Sequence, residues 1–286
     1  MSMPKKIIDA HMHFSNVSKF YDSAKVSGVD YSFDGFTKEC KANNVVGSVC
    51  MGLAETTSES FPDIKAPSPM IANLDQKRPK GLHVCLGINP HVLNESLIPL
   101  IEKMVESDES VVGFKIYAGY YHYHIHDEIY TPVYKLAAKH GLPVAIHTGD
   151  TYSDKGLLKY AHPLEADELA LKWREVNFIL CHMGDPWIMD ACEVAYKNKN
   201  IFLDISGLLA CDADEIVATR KRPTVMCHYT QGIAYLNDFK KVLYGTDWPL
   251  VPMAEYIEFC KELVPESAYA DVFYNNALRV YHRMKI

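Results

Sequence analysis

The chain has 286 residues, enough for two ordinary domains or for one large α/β barrel. Its net charge is −7 and it has no basic block, which argues against nucleic acid or an anionic membrane as the main partner. No apolar run is long enough to span a bilayer, and the N-terminus lacks the apolar core of a signal peptide. Because several cysteines also lie in apolar, strand-like runs, we expect free thiols and a cytoplasmic location.

Eight apolar runs of strand length recur along the chain, with helix-length segments between them. They show no clean alternation of apolar and polar residues, which is typical of parallel strands buried on both faces. The predicted strands begin at Lys5, Val45, Gly81, Val111, Leu142, Asn177, Asn200 and Lys241. Amphipathic patterns predict helices at 94–107, 129–141, 163–173 and 188–198, and Gly141 is expected to end the second of these.

Strand and helix alternating eight times predict a single (β/α)8 TIM-barrel domain over residues 1–286. A doubly wound sheet is the alternative, but the chain lacks the G-x-G-x-x-G phosphate loop that normally follows an early strand in that fold. Two long connections, from Glu55 to Lys80 and from Cys211 to Tyr229, are predicted to cover the active site.

The first predicted strand ends in the motif DAHMHF, which places His11 and His13 two residues apart. Residues i and i+2 of a strand point to the same face, so the two imidazoles could share one metal ion. The structural alternative is that one histidine caps the strand and the other packs in the core. The other strand ends bear on this choice, because catalytic groups in a barrel lie at the C-terminal ends of its strands.

Further polar residues stand at the ends of the later predicted strands. Each of them alone could be a hydrogen-bonded structural residue. Together they would be costly to bury without a shared partner, and a divalent metal ion would supply that partner. These residues are Lys115, His147, His182, Asp204, Ser206 and Asp247.

The motifs DAHMHF, GFKIY, PVAIHTGD, FILCHMG and LYGTDWP, in this order and spacing, resemble the amidohydrolase superfamily. More narrowly, they resemble its amidohydrolase-related branch of metal-dependent TIM-barrel hydrolases and decarboxylases. The closing VFYNNALRVYHR resembles the final helix of that branch, so the resemblance extends from Lys5 to about Arg283. The β-sandwich domain appended in some superfamily members is not expected, because it needs a longer N-terminal segment.

The resemblance implies a set of metal-site residues. It implies that His11, His13 and His147 are metal ligands. It also implies that His182 lies at the metal site and that Asp247 is both a ligand and the general base. Such imidazole and carboxylate ligands suit Zn²⁺, Mn²⁺ and similar divalent ions.

Each residue at the metal site has a chemical role that its type permits. The ion would lower the pKa of its water to about 7, and Asp247 could take the proton and pass it to the leaving group. His182 could bind the ion or stabilise a developing oxyanion. In some superfamily members a lysine on strand 4 is carboxylated and bridges two ions, and Lys115 could do the same. It could also stay unmodified beside one ion or bind substrate, and we favour one ion.

The stretch YAGYYHYHIHDEIY after the fourth predicted strand alternates histidines with tyrosines. If it were a strand, its three histidines would share a face and could form a second metal site. We favour a loop over the barrel mouth that contacts a small polar or aromatic substrate. The expected substrate contacts are Tyr117, Tyr120, Tyr121, His122 and His124, with Trp248 shaping the pocket floor.

Other charged residues have two interpretations. The basic run from Arg220 to Arg222 could bind a substrate carboxylate, although a solvated charge cluster is the favoured interpretation. Asp150 and Asp185 closely follow two of the predicted histidines, and Asp9 precedes a third. We expect these carboxylates to hold imidazole tautomers.

Three functions agree with these patterns. The leading one is a metal-dependent hydrolase of a small amide, lactone or ester that uses a metal-activated water. The alternative is a lyase on the same barrel that decarboxylates or hydrates a carboxylic acid, for which an essential arginine near the mouth would be evidence. A non-catalytic metal-binding barrel is the third, and the presence of Asp247 argues against it. The expected partner is a small molecule, and the chain could form a homo-oligomer.

Overall fold

Eight parallel strands, arranged in chain order, form the centre of the computed structural model, which describes residues 4–73 and 78–286. They are β1 (Ile7–Met12), β2 (Val45–Met51), β3 (Leu82–Ile88), β4 (Val111–Ile116), β5 (Val144–Ile146), β6 (Phe178–Leu180), β7 (Ile201–Asp204) and β8 (Val242–Leu243). The segment that follows β8 returns to β1, since Ala10 N donates to Tyr244 O at 2.9 Å and His13 N donates to Trp248 O at 2.8 Å. The sheet therefore closes almost completely, and the predicted TIM barrel is confirmed.

Helices fill most of the connections and cover the outside of the barrel. They are α1 (Ser18–Ser27), α2 (Phe33–Ala42), α3 (Ile98–Ser107), α4 (Thr131–His140), α5 (Glu165–Lys172), α6 (Ile188–Lys197), α7 (Ala213–Arg220), α8 (Pro223–Leu236), α9 (Met253–Leu263) and α10 (Asn276–Val280). Gly141 ends α4 with a φ of +64°, as predicted, because the left-handed conformation suits glycine. Within the described residues, no helix has both the length and the apolar character needed to cross a membrane.

The apolar core has two layers, as a closed parallel sheet requires. Inside the barrel, side chains from alternate strand positions pack on one another, among them Ile8, Val49, Val112 and Ile179. Outside it, the other strand positions pack against the helices in a larger cluster. Since both faces of every strand are buried, the strands read as continuous apolar runs in the sequence.

The prediction of a long loop between Cys211 and Tyr229 is wrong. The segment from Cys211 to Tyr229 contains α7 and the first half of α8. Asp212 begins α7 as its N-cap, since the carboxylate accepts from Glu215 N at 2.9 Å, and Pro223 begins α8, where its missing N–H needs no partner. The other connection, 55–80, contains no helix or strand in its described part, and residues 74–77 lie outside the described residues.

All eight cysteines are free thiols, which agrees with the prediction. Burial raises the pKa of Cys50 and of Cys85 to about 12, so these thiols stay protonated at neutral pH. They behave as small core side chains. The cytoplasmic location remains a prediction from the sequence.

The strands that carry the predicted site residues are shorter than the sequence indicates. β5, β6 and β8 end before His147, His182 and Asp247, respectively. Both His182 and Asp247 have left-handed backbones, with φ of +61° and +60°, which no strand can contain. These side chains therefore lie on turns directly above the strand ends, at the C-terminal rim of the barrel.

A buried carboxylate, Asp9, ties β1 to the segment after β8. Its Oδ1 accepts from Thr246 N at 3.0 Å and from His11 N at 3.2 Å, and its Oδ2 accepts from the Thr246 hydroxyl at 2.6 Å. Burial raises the pKa of Asp9 to about 7, and these hydrogen bonds act in the opposite direction. The expectation that Asp9 holds an imidazole ring is wrong, because it binds the backbone of His11 instead.

We expect Thr246→Val to lower the free energy of unfolding by about 1–3 kcal/mol, because a buried oxygen of Asp9 loses its hydroxyl donor and the buried Trp248 N loses its acceptor, while the side-chain shape is kept. Urea denaturation measures this loss. Thr224→Val, at an exposed position of α8, is the matched control and should change the free energy by less than about 0.5 kcal/mol. Equal stability of the two variants would contradict a stabilising role for the Asp9–Thr246 contact.

Candidate metal centre

Four imidazoles and one carboxylate meet at the C-terminal rim of the barrel, and all five side chains are buried. His11 and His13 come from β1 and the residue after it. The ring centroid of His182 lies 5.0 Å from that of His11 and 4.9 Å from that of His147. The centroids of His11 and His13 are 5.5 Å apart. The fold thus brings together Asp247 and the histidines that were predicted from separate strands.

Asp247 lies against the two histidines of β1. Its Oδ1 is 3.0 Å from His13 Nε2 and 3.4 Å from His11 Nε2. Both His11 Nε2 and Asp247 Oδ1 are buried, and neither has a hydrogen-bond partner among the described residues. A divalent cation bound by these three atoms would satisfy them, and imidazole nitrogen with carboxylate oxygen is a donor set that Zn²⁺ and Mn²⁺ accept. The residues present therefore fit a metal ion.

Backbone carbonyls fix the tautomers of two of the imidazoles. His13 Nδ1 lies 3.2 Å from Met51 O, and His147 Nε2 lies 2.8 Å from Asp150 O. A carbonyl can only accept, so these two ring nitrogens carry the hydrogens. The opposite nitrogens, His13 Nε2 and His147 Nδ1, then have free lone pairs, which is the state that a metal ligand needs.

The other two imidazoles are held from β7 and the residues that follow it. His11 Nδ1 lies 2.8 Å from Asp204 Oδ2, and His182 Nδ1 lies 3.0 Å from Ser206 O. Both partners are acceptors, so Nε2 of each histidine is left unprotonated. All four imidazoles therefore have one nitrogen available as a ligand.

Two of the expected tautomer-holding carboxylates do not act as predicted. Asp150 binds His147 through its backbone carbonyl, not through its carboxylate. The carboxylate of Asp185 pairs with His228 of α8, at 2.8 Å from Nε2. Both predictions are wrong because nearness in sequence does not fix the direction of a side chain on a tight turn.

The electrostatics of the site keep His11 and His147 neutral. Burial, followed by the positive charge of Lys115, lowers the pKa of His11 to about 4, although nearby carboxylates act in the opposite direction. Burial, then His182 and Lys115, hold the pKa of His147 well below its ordinary value. Burial raises the pKa of Asp247, but the surrounding imidazoles outweigh it and the net direction is downward. Neutral imidazoles and a carboxylate are the protonation states that metal binding requires.

Strained or tightly spaced backbone surrounds the centre. The left-handed conformations of His182 and Asp247 are unfavourable for residues with a Cβ, and such strain is found mainly at functional sites. Gly207 has a φ of +61°, and a Cβ there would lie 2.5 Å from His182 Nδ1. A Cβ on Gly245 would lie 2.8 Å from His11 Cβ. Only glycine at these two positions lets the neighbouring segments approach the imidazoles.

Lys115 lies beneath the centre as a buried cation. Its Nζ donates to Cys181 Sγ at 2.9 Å and is 5.4 Å from the centroid of the Tyr117 ring. Cys181, with His11 and Asp204, forms a second group at metal-ligand spacing. However, the lysine ammonium already contacts the sulfur, and Asp204 already accepts hydrogen bonds. In this second group the sulfur and the carboxylate therefore already have partners.

Two adjoining cavities lead to the centre. The inner cavity has a volume of about 40 Å³ and is lined by His11, His13, Lys115, Tyr117 and apolar side chains that include Phe20, Leu53 and Phe61. The outer cavity has a volume of about 280 Å³ and is lined by residues that include Asp150, Asp185 and Leu208. The residues common to both are Tyr120, His147, Tyr152, His182, Asp247 and Leu250.

Two of the predicted substrate contacts line these cavities. Tyr120 lines both, with its ring centroid 4.7 Å from that of His147, and its hydroxyl accepts from Tyr152 N at 2.8 Å. Tyr117 lines the inner cavity and donates its hydroxyl to Gly52 O at 2.8 Å. No strand lies within 117–126, which agrees with the loop prediction.

The other predicted contacts lie outside the two cavities. The hydroxyl of Tyr121 donates to Asp63 O at 3.3 Å. His122 is exposed and stacks on Tyr160, whereas His124 Nδ1 lies 2.6 Å from Glu165 Oε1. Both rings also contact Tyr160, so these two histidines belong to an aromatic and polar cluster in the loop. Trp248 is buried against aromatic side chains, and its Nε1 donates to Glu39 at 3.1 Å, so it lies behind the centre.

The two arginines of the basic run form ion pairs away from the cavities. Arg220 pairs with Glu262 at 2.5 Å, and Arg222 pairs with Glu215 at 3.0 Å. Neither arginine is among the residues that line the inner or the outer cavity. This placement fits the surface-charge interpretation that we favoured.

Several residues that line the two cavities could not be identified as site residues from the sequence. Lys19 and Phe20 come from α1, and Tyr152 comes from the loop after β5. Lys19 Nζ donates to Tyr152 O at 3.4 Å, so these two segments meet over the inner cavity. Asp204 was visible as a strand-end residue, but its contact with His11 was not predicted.

A family model described as amidohydrolase matches residues 8–283. Among solved structures, an uncharacterised TIM-barrel protein from Bordetella bronchiseptica is 19% identical, with a TM-score of 0.69 over 97% of this chain and 99% of that chain. A probable 2-pyrone-4,6-dicarboxylic acid hydrolase from Acinetobacter baumannii, with citric acid bound, is 13% identical, with a TM-score of 0.66 over 97% and 99%. A dihydroxybenzoic acid decarboxylase from Polaromonas sp. JS666, with bound manganese, is 13% identical, with a TM-score of 0.65 over 98% and 97%.

No curated protein matches the chain significantly in sequence. The solved structures share so little sequence with the chain that their similarity establishes the fold alone. The family model, in contrast, covers almost the whole chain, including every strand end described above. The chain therefore belongs to the amidohydrolase family.

Proposed function

We propose that this protein is a metal-dependent hydrolase that cleaves a C–N or C–O bond of a small amide, lactone or ester. One observation carries the proposal. His11 Nε2 and His13 Nε2 both lie within 3.4 Å of Asp247 Oδ1, and a cavity of about 280 Å³ adjoins these atoms. One Zn²⁺ or Mn²⁺ ion would be held by His11, His13, His147 and Asp247, with His182 beside it.

The side chains around the centre suit hydrolysis. A divalent ion held by these residues would lower the pKa of a bound water molecule to about 7 and so supply a nucleophile at neutral pH. Asp247, as a carboxylate, accepts the proton of the attacking water and delivers it to the leaving nitrogen or oxygen. His182 donates through Nδ1 to Ser206 O, which leaves Nε2 free to bind the ion or to accept a proton.

The cavities suit a small substrate with an apolar or aromatic body. Their walls include Phe20, Phe61 and Tyr117, which give large apolar contact areas. The Tyr120 hydroxyl already accepts from Tyr152 N, so its own hydrogen is free to be donated to a substrate oxygen. Burial raises the pKa of Tyr120, so the hydroxyl stays a donor. Tyr120 is the leading candidate for substrate orientation.

The second candidate is a lyase that decarboxylates a small carboxylic acid at the same centre. Lys19 and Lys115 both line the inner cavity, and either ammonium could hold a substrate carboxylate. A solved decarboxylase also shares the fold. We favour the hydrolase because no arginine is among the lining residues of the two cavities, so the bidentate carboxylate clamp that guanidinium provides is missing from them.

Isotope labelling separates the two candidates. The metal-loaded protein is incubated in ¹⁸O-water with small lactones, amides and esters, and separately with ¹³C-carboxyl-labelled hydroxybenzoic acids. The hydrolase proposal expects one ¹⁸O atom in a product carboxylate and no labelled CO₂. Release of ¹³CO₂ from a hydroxybenzoic acid, with no ¹⁸O-labelled carboxylate formed from any lactone, amide or ester, would overturn it in favour of the lyase.

We expect the purified protein to carry about one divalent ion per chain, because one set of lone pairs converges at the centre. Elemental analysis of protein from metal-supplemented medium measures the stoichiometry. The double variant His11→Ala, His13→Ala should lose most of the ion, since two ligands are removed together.

The matched control is the triple variant His122→Ala, His124→Ala, His126→Ala in the loop after β4. It also removes imidazoles, but outside the centre, so its metal content should equal that of the wild type. Loss of one equivalent in the loop variant would show that the loop binds its own ion. A wild-type protein that binds neither Zn²⁺ nor Mn²⁺ would contradict the proposed centre.

The lowered pKa values predict that protonation of His11 and His147 weakens Zn²⁺ binding only slightly as the pH falls. His11, with a pKa of about 4, and His147, whose pKa is also lowered, bind few protons in this range. From about pH 7.5 to about pH 5.5 these two ligands should together lower the affinity by less than about tenfold. Two imidazoles with the ordinary pKa of about 6.5 would lose about 100-fold. Equilibrium dialysis distinguishes these outcomes, and the larger loss would contradict the neutral, buried state of the two histidines.

Asp247→Asn should lower kcat by at least about 100-fold, because the amide cannot accept the proton of the attacking water. The amide keeps the size of the side chain, so the circular dichroism spectrum and the melting temperature should stay close to those of the wild type. Steady-state kinetics on the substrate found by labelling measure the effect. Near-normal turnover would exclude Asp247 as the base, whereas loss of the folded state would assign it a structural role.

A further inference from the structure

We propose that Asp204 is a positioning residue that sets the ring tautomer of His11 and, through the Ser206 hydroxyl, reinforces the His182 tautomer that the Ser206 carbonyl already favours, so that one carboxylate acts on two of the four imidazoles. The inference depends on the proposed function in one respect only, namely that these imidazoles bind a metal ion. The hydrogen bonds themselves are properties of the protein without metal. They involve three short segments, the end of β1, the turn after β6 and the end of β7.

The contact with His11 is direct. Asp204 Oδ2 lies 2.8 Å from His11 Nδ1, and both side chains are 1% exposed. His13 and His147 donate to backbone carbonyls instead. Among the four imidazoles of the centre, His11 is therefore the one that donates directly to a carboxylate. A carboxylate partner fixes the ring orientation and makes the opposite nitrogen a stronger metal ligand.

The contact with His182 passes through Ser206. The Ser206 hydroxyl lies 2.5 Å from Asp204 Oδ1 and 3.1 Å from His182 Nδ1. A hydroxyl has one hydrogen, and an ionised carboxylate can only accept, so this hydrogen is donated to Asp204. The Ser206 oxygen must then accept from His182 Nδ1, as the Ser206 carbonyl does at 3.0 Å. The hydrogen of His182 is thereby held on Nδ1, and Nε2 is free.

Asp204 also holds the backbone at this point. Its Oδ1 accepts from His182 N at 3.0 Å and from Ser206 N at 3.1 Å. With the His11 ring and the Ser206 hydroxyl, the carboxylate accepts from four donors in a buried site, which stabilises its charged form. The His182 backbone is left-handed, and the bond from its N–H to Asp204 helps to keep it there.

Nitrogen-15 NMR of the metal-free protein, labelled at the histidine rings, tests the proposal directly. We expect His11 and His182 of the wild type to carry hydrogen on Nδ1. In Asp204→Asn, the amide oxygen should stay with the three donors on the Oδ1 side, and the amide NH₂ should face His11. His11 should then move its hydrogen to Nε2, and the Zn²⁺ affinity should fall by about 10- to 100-fold.

The matched control is Asp9→Asn, which also replaces a buried carboxyl group by an amide, within β1. Asp9 contacts the His11 backbone and not its ring, so both ring tautomers and the Zn²⁺ affinity should match the wild type. A merely structural role for Asp204 would change the melting temperature of both variants alike and would leave the tautomer of His11 unchanged.

Two outcomes overturn the proposal. One is hydrogen on Nε2 of His11 or His182 in the wild-type protein, a result that needs no variant to fold. The other is a folded Asp204→Asn protein with unchanged tautomers and unchanged Zn²⁺ affinity. Expected tautomers in a wild-type protein that binds no ion would refute the proposed function alone, so the two failures are distinguishable.

Discussion

Each imidazole at the barrel rim has one nitrogen bound to a group that can accept a hydrogen bond but cannot donate one. This constraint determines which nitrogen is free, and the other properties of the centre depend on it. Two of the four partners come from neighbouring strands: Met51 ends β2 beside His13, which follows β1, and Ser206 follows β7 beside His182, which follows β6. For these two imidazoles the pairing of parallel strands sets the ring tautomer as well as the position of the side chain.

The meeting of the strand-end residues at one rim could be predicted because it depends on chain order. In a parallel barrel every strand ends at the same rim, so His11, His147 and Asp247 must approach one another wherever the intervening helices lie. The same rule explains the confirmed fold, since buried strands read as apolar runs at regular spacing. It gives no information on side-chain direction beyond the strand end. Both errors at Asp150 and Asp185 occurred on such turns.

The substrate-facing residues were harder to predict because they depend on how loops pack. The alternation of histidines in 117–126 has meaning only in a strand, and the backbone there turns instead, so that Tyr120 faces the cavity while His124 pairs with Glu165 of α5. Lys19 and Tyr152 approach each other from distant parts of the chain. The strand ends thus indicate a reaction class, whereas the loops determine the substrate.

The candidate ligands join the two strands at which the barrel closes. His11 and His13 belong to β1 or follow it directly, and Asp247 follows β8, the shortest strand. An ion held by these three side chains would cross-link the first and last strands. The chain segment closed by this cross-link would contain most of the protein, from β1 to β8. Cross-links over long loops restrict the open chain strongly. A bound ion would therefore oppose local opening of the barrel wall between β8 and β1, in addition to the hydrogen bonds of Asp9 and of the backbone that already join these segments.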